Sequence, residues 1–157
     1  MSPKCSVVKS PIVLMAFIVF LLSGCETTTY KNEQWAKAPA NWVLVGGGDS
    51  QGGYVFYADP ATITRTGDVV KMWSMYDYKA AQISRATHVE YLSLTGQNEY
   101  DCKNEKERRL YFRYHSGNVA GGAIAFTTAG LAPPDQWDAL SPRSAAASLW
   151  KIACGIK

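Results

Sequence analysis

The sequence is poor in the residues that most often carry catalysis or metal binding. Only two histidines, His88 and His115, occur in 157 residues, and neither has a second ligand at i+3 or i+4 beyond nearby carboxylates such as Glu90. Zinc sites need three or four ligands at set spacing, so neither a metal nor a cofactor is expected. Glycine-rich stretches occur at residues 46–53 and 117–122, but no Gly-Lys-Ser/Thr follows either, and no Gly-x-Gly-x-x-Gly joins a strand to a helix. Both stretches are therefore expected to be mobile turns and not phosphate loops. No Gly-x-Ser-x-Gly singles out a nucleophilic serine, and the expectation is a protein without catalytic residues. An excess of one charge is also missing: 16 Lys and Arg against 13 Asp and Glu leave +3. So small an excess does not point to a polyanion, and no nucleic-acid partner is expected.

Long apolar runs are absent as well. The longest covers residues 12–22, eleven residues without interruption, or about 16 Å of helix against a hydrocarbon core of about 30 Å. It is too short to span and reads as the h-region of a leader, with Lys4 and Lys9 as its basic n-region. The run ends in Leu22-Ser23-Gly24-Cys25, which resembles the lipobox of bacterial lipoproteins, where the cysteine thiol is diacylated before cleavage on its N-terminal side. The resemblance implies a signal peptide over residues 1–24, lipidation of Cys25 and a membrane partner through that lipid. Each additional acyl chain adds about 0.8 kcal/mol per buried CH₂, so such an anchor is in effect permanent. Glu26 in place of Asp follows the cysteine and leans the expected address toward the outer membrane. Removal of the leader leaves 14 basic residues against 13 acidic ones, a mature chain near neutrality.

The mature chain divides in two. Residues 25–40 are Thr-rich and polar and read as a lipidated flexible tether; residues 41–157 read as the folded domain. Within it, strand-like runs alternate with turn signals. Residues 42–45 and 54–58 are the first two strand candidates, the second closed by Asp59-Pro60; residues 62–65 form a short third, and residues 69–78 are the clearest. Residues 87–101 follow with a bulge or bend expected at Gly96, then residues 110–115 and 123–128. At the C-terminus, Ser141 as cap, Pro142 in the first turn, an Ala-rich stretch and Gly155 as stop predict a helix of about three turns. A helix this short is marginal alone and needs a hold.

Cysteine arithmetic suggests that hold. Of four cysteines, Cys5 leaves with the leader and Cys25 takes lipid, so Cys102 and Cys154 remain. In an oxidising envelope compartment they are expected to pair. The densest charge run, Lys103-Asn104-Glu105-Lys106-Glu107-Arg108-Arg109, reads as a hairpin connection. Its Lys103, Lys106, Arg108 and Arg109, with Tyr111 and Arg113 beside them, form the candidate contact site for an acidic or sulfated macromolecule.

The segments Phe56-Tyr57-Ala58-Asp59-Pro60-Ala61-Thr62-Ile63, Val70-Lys71-Met72-Trp73, Tyr76-Asp77-Tyr78, Glu99-Tyr100-Asp101-Cys102 and Trp150 to Cys154 occur in that order after Trp42. Over about residues 41 to 154 the chain thereby resembles the surface-adhesin protein E family of bacterial envelope lipoproteins. The resemblance implies an α+β fold, an antiparallel sheet of about six strands with a C-terminal helix tied across it by Cys102 and Cys154. It also implies an adhesin-like, non-enzymatic role toward a host or envelope protein. A periplasm-facing maintenance module or a lysozyme-type hydrolase inhibitor is the alternative. One short helix covers only part of one sheet face, so a homodimer through the remaining sheet is a further expectation.

Overall fold

The computed structural model describes residues 38–131 and 133–156. The expected leader, Cys25 and the tether up to residue 37 lie outside the described residues. Among the described residues seven strands and one α-helix follow in order: β1 (Val43–Gly48), β2 (Tyr54–Thr66), β3 (Val69–Ile83), β4 (Glu90–Asp101), β5 (Lys106–His115), β6 (Ile124–Thr127), β7 (Asp138–Ala139) and α1 (Ala145–Cys154), with a 3-10 turn at Ser50–Gly52 between β1 and β2. The first six form an antiparallel meander in sequence order, and the two-residue β7 returns to pair with the start of β5. The α+β architecture expected from the sequence is the one observed.

Two expected strands are one. β2 continues through Asp59-Pro60, where its register against β3 shifts between Asp59 and Thr64. Proline cannot donate to a ladder, and the neighbouring side chains take over the lost bonds. The Asp59 carboxylate accepts from the Ala61 amide (3.2 Å) and from the Asn41 side chain, Thr62 Oγ1 donates to the Asp59 carbonyl (2.7 Å), and the same oxygen accepts from the Trp73 amide (3.0 Å). The Asp-Pro-x-Thr segment is thus a bulge that mends itself.

Other expectations also shift. Gly46, Gly47 and Gly48 are not in a mobile turn but paired in β1. Their missing side chains make room for rings, since a Cβ on Gly46 would lie 2.9 Å from Phe56 Cζ and one on Gly48 3.0 Å from Tyr54 Cε1. Gly96 is paired in register with both Ser74 and Phe112; the irregularity lies opposite, where Leu110 is the extra residue between Arg109 and Tyr111. The helix begins at Ser144, whose hydroxyl accepts from the Ala147 amide, and not at Ser141. Arg143 at φ 64° is left-handed, which stops the helix from reaching back to Pro142. Gly155, also left-handed, closes the helix as expected.

Strand alternation sorts the side chains onto two faces. The first carries the core: Phe56, Ala58, Val70, Met72 and Tyr100 pack against Leu149, Trp150 and Ala153 of α1. The Cys102–Cys154 disulfide, with Cα atoms 5.6 Å apart, ties the end of α1 to the turn after β4. Trp150 Nε1 donates to the Asp101 carbonyl (3.0 Å) beside it. Beyond the helix this face continues as a ring field of Tyr54, Tyr76, Tyr78, Tyr91, Tyr114, Phe112 and Phe126 in mutual contact. Among the described residues no helix lies over the second face; Tyr57, Met75, Thr95 and Glu99 are buried on it, and its half-exposed side chains carry the candidate site.

Candidate binding surface

β5 holds most of the residues the sequence singled out, and its geometry divides them. Only the first part of the charge run forms the hairpin connection: Lys103 to Glu105 lie in the turn between β4 and β5, and Lys106 to Arg109 are strand residues. That turn is built by Asp101, whose carboxylate accepts from the Lys103 amide (3.0 Å), the Asn104 amide (2.9 Å) and the Asn104 side chain (2.7 Å). The Asn104 bonds, its side chain foremost, hold the Asp101 carboxyl below its ordinary pKa. Alternation then places Arg108, Tyr111 and Arg113 on the open face, while Arg109 goes to the helix face, where its guanidinium lies 5.6 Å from the Phe112 ring centre. The extra residue Leu110 lets Arg108 and Tyr111, three apart in sequence, share a face. Lys103 and Lys106 are exposed at the end of the hairpin, away from this row.

On the open face the strand registers build successive cross-strand rows. Lys71, Glu99 and Arg108 stand opposite one another, then Trp73, Gln97 and Tyr111, then Met75, Thr95 and Arg113, then Asp77, Ser93 and His115. In the first row the buried Glu99 carboxylate accepts from Arg108 Nε (2.9 Å) and Nη2 and pairs with Lys71 Nζ (3.4 Å). Trp137, from the connection between β6 and β7, lies against the Arg108 guanidinium at 4.8 Å. In the next rows Trp73 and Tyr111 meet edge to face at 5.4 Å, and Arg113 covers Tyr111 at 5.0 Å while its Nε donates to the phenol oxygen. The result is a half-exposed belt of Trp, Tyr and Arg with three cations and one carboxylate.

The fourth row is sealed. The loop between β5 and β6 crosses it: the Val119 amide (2.7 Å) and Asn118 side chain (3.1 Å) donate to Asp77 Oδ1, Ser93 Oγ donates to the Gly117 carbonyl (2.6 Å) and accepts from the Ala120 amide (3.0 Å). The second glycine-rich stretch is therefore a pinned strap. Asp, Ser and His are neighbours here, but His115 Nε2 bonds Thr95 Oγ1 (2.9 Å) and not the serine. With Asp77 and Ser93 fully buried, this row is wired as structure. Burial raises the Asp77 pKa against the Val119 and Asn118 bonds, and burial, then Arg113, lowers that of His115. Among the described residues no cluster of His, Cys, Asp or Glu could hold a metal ion, and His88 is an exposed residue in the turn before β4.

Sequence reasoning missed Lys71, Trp73, Glu99 and Trp137. The first three join the belt through cross-strand register, which leaves no local mark; Trp137 sits in an irregular segment. The Trp73/Lys71 alternation was the only available sign.

The model of the surface-adhesin protein E family matches residues 42–155. Among solved structures, crystal form II of Haemophilus influenzae protein E is similar at a TM-score of 0.54 and 11% identity, covering 78% of this chain and 93% of that one. The selenomethionine form of Haemophilus influenzae protein E gives 0.50 at 11% identity, covering 76% and 89%. At this identity the likeness is one of fold. No curated protein matches the sequence significantly.

Proposed function

This chain belongs to the surface-adhesin protein E family, and from that premise we propose that it is a non-enzymatic, adhesin-like envelope lipoprotein that binds a macromolecule. Residues 1–24 are its signal peptide, Cys25 carries the lipid that anchors it to the outer membrane, residues 25–40 are the tether and residues 41–157 the displayed domain. The observation that carries the reading is the open-face belt. Trp, Tyr and Arg are the residue types that dominate binding hot spots, and here Trp73, Tyr111 and Arg113 stand half-exposed on the sheet with Trp137 beside them against Arg108. Lys71 and Arg108 share the one Glu99 carboxylate and Arg113 adds a third cation two rows away, a cationic excess that favours an acidic or sulfated partner.

The belt is tested on the full chain with immobilised heparin as the sulfated probe. Wild type is expected to be retained and to elute with salt, and Arg113→Glu to elute at clearly lower salt with an unchanged melting curve. Equal elution of the two proteins counts against the belt. Orientation is read separately by protease shaving of intact cells: loss of the protein supports adhesin-like display, and its survival favours the inward-facing maintenance or hydrolase-inhibitor reading. Mass spectrometry of the mature N-terminus checks the anchor, since an unmodified Cys25 removes it. A homodimer through the sheet is part of the same proposal.

A further inference from the structure

The outer edge of β5 is covered at its two ends and open between them. β6 pairs with β5 only at Arg113, Tyr114 and His115, and β7 only at Lys106 and Glu107. The Thr128 amide and hydroxyl bond the Phe112 backbone at 3.1 and 3.0 Å, fixing the start of the β6–β7 connection, and Trp137 against Arg108 fixes its end. Among the described residues no backbone group pairs with this edge between Glu107 and Phe112. A cleft of about 240 Å³ lies there, lined by Arg109, Leu110, Phe112, Thr128, Leu131 and Pro134. Leu110 is the extra residue in β5, and such bulges re-aim side chains. Leu131, 65% exposed at the opposite wall, is a large apolar side chain without a cover.

Arg109 stands at the mouth of this cleft. Its guanidinium rests on Phe112, and among the described residues it makes no ion pair; the half-buried Glu107 on the same face feels its charge without pairing. An unpaired guanidinium, an apolar recess and an open strand edge side by side match three parts of one ligand. A carboxylate suits the guanidinium in bidentate fashion, a single medium-sized apolar side chain suits a recess below the size of ordinary small-molecule pockets, and a peptide backbone suits the strand edge. We infer that this cleft captures the C-terminal carboxylate of a peptide or protein whose last residue is aliphatic. A free fatty acid would satisfy the guanidinium but leave the strand edge unpaired.

The experiment titrates the full chain with an N-acetylated tripeptide ending in leucine, following amide shifts by NMR. The free acid is expected to bind saturably at millimolar or lower concentration, with the largest shifts at Arg109, Leu110, Phe112 and Thr128. Its C-terminal amide is expected to bind at least about tenfold more weakly, a loss in keeping with one charge-assisted pair. Arg109→Gln, at an exposed position, is expected to reproduce that loss with an unchanged melting curve. Equal binding of acid and amide, shifts that map elsewhere, absence of saturation, or octanoate binding as tightly as the peptide each overturns the inference.

Discussion

Asp77 and His115 occupy one row under the strap, and burial drives their proton equilibria in opposite directions with opposite consequences for stability. The raised pKa of Asp77 means that, above the unfolded value of 3.8, the folded state keeps a proton the unfolded chain has released. Its contribution is full below that value and is lost as pH rises through the folded pKa. Asp77→Asn keeps Oδ1 as acceptor for Val119 and Asn118 and replaces only Oδ2, which has no partner. Chemical denaturation is expected to show a change within about 1 kcal/mol at neutral pH and a shallower fall of stability above pH 4. Part of that fall survives in the variant, because burial raises Glu107 as well. Asp77→Ala strands two donors and is expected to cost about 1–3 kcal/mol. For His115, whose pKa is lowered from 6.5, the unfolded chain binds the proton first as pH falls. Stability is therefore full above about 6.5 and declines as pH drops toward the folded pKa; His115→Gln is expected to remove that decline between pH 7 and 5. A decline of undiminished slope in the variant would place its origin elsewhere.

Among the elements, β2 and α1 depend on contacts that differ in how far they reach along the chain. Thr62 mends the ladder around Pro60 locally, and Thr62→Val removes the acceptor of the Trp73 amide, with an expected loss of about 1–3 kcal/mol in denaturant unfolding. The disulfide acts over a separation of 52 residues, and Cys102→Ser is expected to lose about 4 kcal/mol in the loop-entropy account, read as a lower melting temperature; an unchanged curve shows that the bond contributes nothing. This contrast in range also decides what can be read from residues alone. The helix, its glycine stop and the strand run of β3 carry local periodicity, and they are legible. The fusion of two strand candidates into β2 is not, because Asp59-Pro60 has the composition of a turn and becomes strand only when Thr62 and Asn41 take up its unpaired groups. The helix cap is displaced to Ser144 by one backbone angle at Arg143, which no composition reveals. For the site, Arg108, Tyr111 and Arg113 are legible as a cationic-aromatic run in β5. The separation of Arg109 from them follows from alternation around Leu110, and the recruitment of Glu99 and Trp73 follows from register; both are properties of the paired sheet.

For the whole molecule, the distribution of charge and of open edges selects among modes of self-association. Face-to-face pairing of two open faces would bring Lys71, Arg108 and Arg113 toward their own copies, with one Glu99 each to offset them, and like charges so juxtaposed repel. Edge pairing meets no such barrier. β1 is a terminal strand of the sheet, carries no charged residue over Val43–Gly48, and leaves Val43 49% and Leu44 60% exposed. An uncharged, apolar edge of this kind is a template for another strand unless something blocks it. Two copies related by a twofold axis would join β1 to β1 antiparallel, making one continuous sheet with the cationic belts of both copies on show. Sedimentation velocity on the full chain in detergent at tens of micromolar is expected to give a dimer for the wild type. Leu44→Lys, which places a charge on the edge without touching the core, is expected to give a monomer with an unchanged melting curve at low concentration. A monomeric wild type excludes the dimer, and a dimeric Leu44→Lys moves the contact to another part of the sheet.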